Sequence, residues 1–186
     1  TDLLLKAASA VQKDLPETDF AIWIIGEGAE RERLNEMAKS LGIENIVRFL
    51  GFQEQVAAYL AASDIFVLPS RHEAMSMVLL EALASGLPCI VTAVGESPAV
   101  VQEGEQGLVV GPNAVEPLQE ALKKLLKDTG LRQEMSQKAR RRAEDFSEEK
   151  MGLAAPSPRA QNDLPLMLSA MSAILSRSLS RPLPAS

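Results

Sequence analysis

The chain has 186 residues, 46% hydrophobic and 24% charged, with a formal net charge of −6. These proportions are those of a soluble globular protein, and the acidic balance argues against general nucleic-acid affinity through a basic surface. One cysteine, Cys89, and one histidine, His72, exclude an internal disulfide framework and a side-chain zinc site of usual composition.

No basic region followed by an apolar run opens the chain, and no stretch reaches the roughly 18 consecutive apolar residues of a spanning helix. The expected location is cytoplasmic, with no membrane contact evident in the chain. "DLLLKAASAVQKDLP" opens as a helix, with Asp2 placed as its N-cap. "FAIWIIG" (20–26) is apolar without alternation and reads as a strand buried on both faces. A Gly-Glu-Gly turn follows. In "AERERLNEMAKSLG", Leu34, Met37, Ala38 and Leu41 recur at i, i+3, i+4 and i+7, with Gly42 as the helix stop. "NIVRFLG" (45–51) is a second strand, "EQVAAYLAAS" a helix and "DIFVLPS" (64–70) a third strand. "MSMVLLEALASG" is a helix ending at Gly86. "PCIVT" (88–92) and "GLVVG" (107–111) are further strands, and two charged helices lie around 114–127 and 130–145.

Strands separated by helices of this size imply a doubly wound, Rossmann-like parallel sheet covered on both faces. In such sheets ligands bind at the carboxyl ends of the strands. The loops to watch are Gly26–Gly28, Gly51–Gln53, Ser70–Ser76 and Ala93–Pro98. This domain is expected over residues 1–150, although it opens in a helix where a strand would normally come first. Residues 151–186 hold five prolines and seven serines but one acidic residue, Asp163. They are expected to be a largely disordered tail, with a loose helix over "LPLMLSAMSAILSRSL".

The stretch "RHEAMSMVLLEALASGLPCIVT" (71–92) places Glu73 in the loop after the third strand and Glu81 about two turns into a helix starting near Met75. At about 1.5 Å rise per residue their carboxylates stand on the order of 10 Å apart. That exceeds the roughly 5 Å of a retaining-glycosidase pair. It suits two carboxylates gripping hydroxyls at opposite ends of one long ligand. The structural alternatives are a solvated helix glutamate at Glu81 and a loop carboxylate favouring the helix dipole at Glu73. His72 reads as a loop residue, Cys89 as inert packing, and Arg140–Arg142 as a solvated helix face.

The run "EAMSMVLLEALASGLPCIVT" resembles the E-x7-E region of nucleotide-sugar-dependent glycosyltransferases of family 4, which have the GT-B fold. "IWIIGEGAERERL", "NIVRFLGF", "YLAASDIFVLPSRHE" and "VGESPAVVQEGEQGLVV" agree and come in the family's order. The resemblance covers about residues 3–147, the C-terminal, donor-binding domain of an N-terminally truncated enzyme. It implies that Glu73 binds hydroxyls of the donor sugar, with the backbone of Ala74, Met75, Ser76 and Met77 facing the sugar and diphosphate. Glu81 would bind the ribose hydroxyls. Gly26 and Gly28 would lie at the phosphates, and Phe49, Gly51 and Phe52 would flank the base. The implied reaction is glycosyl transfer from a UDP-, GDP- or ADP-linked sugar, with retention and no required metal. The acceptor would be held by a missing N-terminal domain.

The sequence departs from the family at several points. The arginine and lysine that neutralise the diphosphate belong to a loop before Thr1, Ala74 stands where Gly is usual, and Ala99 stands where Glu is usual. The rival reading is a non-catalytic nucleotide- or partner-binding module that keeps the fold and transfers nothing. A phospho-receiver domain fails, because Asp64 stands at the amino end of its strand.

Overall fold

The computed structural model describes residues 1–71, 76–146 and 172–176. Every strand expected from the apolar runs forms: β1 (Ala21–Ile25), β2 (Val47–Gly51), β3 (Ile65–Leu68), β4 (Cys89–Thr92) and β5 (Gly107–Val110). These five run in one direction, with β1 paired to β2 and β4 paired to both β3 and β5. β1, β3 and β4 are buried at every residue, as continuous apolar runs require of a sheet covered on both faces.

The helices are α1 (Asp2–Asp14), α2 (Arg31–Ser40), α3 (Val56–Ala61), α4 (Met77–Ala84), α5 (Ser97–Val100), α6 (Val115–Lys127) and α7 (Thr129–Glu144). Apolar residues of α1, α2 and α6 share one core with Ile22, Ile24, Ile65 and Val67. Apolar residues of α3, α4 and α5 share the other with Trp23, Phe66 and Leu68. Alternate residues of each strand therefore serve alternate layers, which is the doubly wound arrangement. α1 packs against α6 on one face and α4 against α7 on the other.

The centre of the sheet differs from expectation. Residues Ser172–Ser176 form a sixth strand, β6, and the spatial order is β2-β1-β6-β3-β4-β5. β6 runs antiparallel to both neighbours, with Ile174 opposite Trp23 on one side and Phe66 on the other. Ala173 and Leu175 enter the first core and Ile174 the second. These five residues lie inside the tail for which a loose helix was the expectation; the rest of that tail lies outside the described residues. The physical reason for a strand lies in its neighbours in the sheet. β1 and β3 each present an open ladder edge to the same slot, and three consecutive apolar residues satisfy both edges and both cores at once.

Two boundaries also move. Thr1 rather than Asp2 holds the N-cap position of α1, because the Leu5 amide already donates to the Thr1 carbonyl at 3.2 Å. α4 starts at Met77 rather than Met75, since Ser76 is extended while its carbonyl accepts from the amides of Leu79 and Leu80. Glu81 thus lies one turn into its helix, not two. Among the described residues no helix is long and apolar enough to cross a membrane.

Candidate functional site

The carboxyl ends of β1, β2, β3 and β4 lie along one edge of the sheet, and the residues singled out by sequence come from the segments that leave it. Gly26, directly after β1, has φ +117°, a conformation that favours glycine. Its amide donates to the Gly51 carbonyl at 2.9 Å, which ties the loop after β1 to the end of β2. The Gly28 carbonyl accepts from the Arg31 amide at 3.1 Å, so this turn leads straight into α2.

At the end of β2 the aromatic residues divide. Phe49 is half-buried and packs against the first core, while Phe52 is 45% exposed. Phe52 is therefore the ring free to meet a ligand. Gln53 donates to the Leu50 carbonyl and accepts from the Tyr59 hydroxyl, at 2.8 Å each, holding the turn around Phe52.

At the end of β3, the Thr92 hydroxyl reaches from β4 and donates to the Ser70 carbonyl at 2.5 Å. Glu73, Ala74 and Met75, together with His72, lie outside the described residues. Ser76 caps α4 by backbone geometry, and Met77, the first helical residue, is 51% exposed.

The inward face of α4 consists of Leu79, Leu80, Ala82 and Leu83. Glu81 falls on the opposite, exposed face, one turn after Met77. Among the described residues its carboxylate has no hydrogen-bond or ion-pair partner. Desolvation by the surrounding chain nevertheless raises its pKa above the usual glutamate value. A partly dehydrated carboxylate without donors lacks the compensation such a group normally finds. It is a ready acceptor for hydroxyls brought by a ligand.

α5, which follows β4, is held at its last residues by α7. Arg142 of α7 donates to the carbonyls of Ala99, at 2.6 Å, and Val100, at 3.2 Å. Neither this clamp nor the arginines at the edge, Arg31, Arg33 and Arg71, was legible as part of the site. Arg142 and Ala99 are 43 residues apart, and no local pattern links them. Arg31 donates to the Phe49 carbonyl at 3.2 Å and lies close over Gly51. A separate open cleft of about 540 Å³ lies between β5 and α6, lined by Val110, Pro117 and Lys124 among others, and includes none of the expected site residues. Among the described residues no three His, Cys, Asp or Glu side chains are grouped so as to hold a metal ion.

Comparison with known proteins gives this edge a context. The family model for glycosyl transferases group 1 matches residues 1–142. An N-acetyl-alpha-D-glucosaminyl L-malate synthase of Bacillus anthracis is 38% identical over 143 residues, which cover 76% of this chain and 38% of that protein. Among solved structures, the glycosyltransferase WaaG, involved in lipopolysaccharide biosynthesis, superposes with a TM-score of 0.72 at 27% identity, covering 88% of this chain and 42% of that one. The Alr3699/HepE protein of Anabaena, crystallised with UDP, has the same fold, with a TM-score of 0.69 at 24% identity over 77% of this chain and 40% of that one. The chain thus spans about two-fifths of the length of the proteins it matches.

Proposed function

The chain belongs to the glycosyl transferases group 1 family, and from that membership we propose that it binds a nucleotide diphosphate sugar at the carboxyl edge of its sheet. In this reading it is the donor half of a glycosyltransferase that works with retention, and the acceptor is held by a second, N-terminal domain. The observation that carries the reading is Glu81. Its carboxylate is partly desolvated although the residue is exposed, lacks partners among the described residues, and stands one turn from the start of α4. Two vicinal ribose hydroxyls would give it the charge-assisted bonds it lacks.

The remaining roles follow the order of the loops. Glu73 takes hydroxyls of the donor sugar, and the backbone of Ala74, Met75, Ser76 and Met77 faces sugar and diphosphate. Gly26 and Gly28 let the chain approach the phosphates. Gly51 and Phe52 flank the base, with Phe49 supporting them from the core side. Such a site acts by orienting the donor and stabilising the leaving diphosphate, and the reading calls for no metal.

The test is calorimetric titration of the chain with UDP, GDP and ADP, repeated with Glu81→Gln. One nucleotide should bind, and the variant should bind it much more weakly. UDP is the first choice, because a protein of the same fold was crystallised with it. If the domain is folded and no nucleotide binds at millimolar concentration, the chain is a scaffold of this fold without a working donor site.

A further inference from the structure

α7 carries three consecutive arginines, Arg140, Arg141 and Arg142, which the sequence pattern takes for a solvated helix face. The structure separates them. Ala139 is fully buried and Ala143 packs against the second core. At about 100° per residue, Arg140 and Arg142 flank that buried stripe on opposite sides, and Arg141 points away from it. Arg140 lies against Gly86 at the end of α4, with its guanidinium 3.5 Å from the Ser85 carbonyl. Arg142 has a side chain only 21% exposed, and each nitrogen of its guanidinium is engaged. Nη2 donates to the Ala99 carbonyl at 2.6 Å, Nε to the Val100 carbonyl at 3.2 Å and Nη1 to the Asp145 carboxylate at 3.2 Å. The Phe146 ring lies under it, 4.8 Å from ring centre to guanidinium carbon. Asp145 and Phe146 thus fix the fork on the α7 side, and the fork meets two carbonyls at the end of α5 that lack donors within their helix.

What the fork holds extends beyond those two residues. The Ser97 amide donates to the Val94 carbonyl at 3.2 Å, Val100 to Glu96 at 3.1 Å and Val101 to Ser97 at 2.9 Å, so α5 and the turn before it form one hydrogen-bonded unit. The other end of this segment is fixed by the sheet. There the Ala93 amide donates to the Val110 carbonyl at 2.8 Å, and the Thr92 hydroxyl to the Ser70 carbonyl at 2.5 Å. Between the two anchors Ala93, Gly95 and Glu96 are exposed, at the carboxyl edge and beside the chain that leads to Glu73.

We propose that Arg142 is a positioning residue for the ligand edge: it touches no ligand, and through α5 it sets where the loop Ala93–Glu96 stands. The inference rests on the nucleotide-sugar reading for the ligand and on the hydrogen bonds alone for the loop. Because the loop borders the segment after β3, where that reading puts the sugar, the sugar end of the ligand depends on Arg142 and the nucleotide end does not. A planar fork can span two carbonyls, whereas a lysine is a single point of charge. Supports of this kind hold a site to a fraction of an ångström.

The test combines amide hydrogen exchange, followed by NMR, with calorimetric titration of UDP and UDP-glucose. Both are applied to the full chain and its Arg142→Gln, Arg142→Lys and Arg141→Gln variants. In Arg142→Gln the amides of Ser97, Val100 and Val101 should exchange about tenfold faster, the weight of one charge-assisted hydrogen bond. UDP-glucose affinity should fall about five- to tenfold and UDP affinity by less than about twofold. Arg142→Lys should fall between wild type and Arg142→Gln, and Arg141→Gln should match wild type. Unchanged exchange in Arg142→Gln, or faster exchange with unchanged UDP-glucose affinity, overturns the proposal. So does an equal loss of both ligands with a lowered melting temperature in both Arg142 variants, which marks a purely structural clamp. If wild type binds neither ligand, the nucleotide-sugar reading fails by itself, and exchange still decides whether Arg142 holds the loop.

Discussion

Ile174→Ala probes whether β6 holds the sheet together. Ile174 is 1% exposed, lies between Trp23 and Phe66 across the two ladders, and belongs to the core shared with α3 and α4. The substitution removes three carbons, worth about 0.8 kcal/mol each in lost burial, and leaves a cavity. The combined cost of such truncations is about 2–5 kcal/mol, and we expect about 3 kcal/mol here. For a domain of this size that lowers the melting temperature by about 6–12 °C. The assay is urea unfolding followed by fluorescence of Trp23, the chain's sole tryptophan, which is buried and pairs directly with Ile174. Ile174→Val, which deletes one methyl group, should cost about 0.5–1.5 kcal/mol and rank between wild type and Ala. A shift below about 0.5 kcal/mol for Ile174→Ala, the size of an ordinary surface change, would refute a central, buried β6.

Ser176 is fully buried at the end of β6, and its hydroxyl has no hydrogen-bond partner among the described residues. Ser176→Ala should therefore stabilise the fold by about 1–3 kcal/mol in the same urea assay. Gly107→Ala should do the reverse. A methyl group there would come within 1.9 Å of the Cys89 carbonyl oxygen in the neighbouring strand, and the expected loss is about 3 kcal/mol or more, read as a fall in melting temperature. Glu81 gives a pH signature. Its folded-state pKa is raised by desolvation, so ionisation opposes folding as pH rises through that value. The stability of Glu81→Gln relative to wild type should therefore be greatest at neutral pH. That advantage should fade as pH falls below the ordinary glutamate pKa of about 4.3, as melting temperatures of both proteins across pH would reveal.

β1, β3 and β4 were legible because burial on both faces leaves no alternation to misread: "FAIWIIG" and "DIFVLPS" could form little else. Helix stops at Gly42 and Gly86 were equally plain. β6 was not, because "SAILS" is too short to show a period and sits among residues of helical apolar content. What makes it a strand is the pair of open edges on β1 and β3, contacts that its own residues do not encode. α5 carries no signal of its own, since four residues around Pro98 give no periodicity. At the site, the loops at the carboxyl ends of the strands followed from the alternation of strands and helices, and Glu81 stood out as a carboxylate in an apolar helix. Its exposed position depended on where α4 begins, which the backbone of Ser76 sets. The Arg142 clamp was invisible, because only the fold brings residues 43 positions apart together.

The reading of Glu81 as a ribose ligand is tested most directly by a double-mutant cycle between protein and nucleotide. Calorimetry would give the affinities of UDP and 2′-deoxy-UDP for wild type and for Glu81→Ala. If the carboxylate accepts from the ribose, losing the 2′-hydroxyl costs wild type about 1.5–3 kcal/mol, tenfold or more in affinity. Glu81→Ala should then bind the two nucleotides alike, because the coupling has been removed from the protein side. Equal binding of both nucleotides by wild type, or undiminished discrimination in Glu81→Ala, would contradict the assignment.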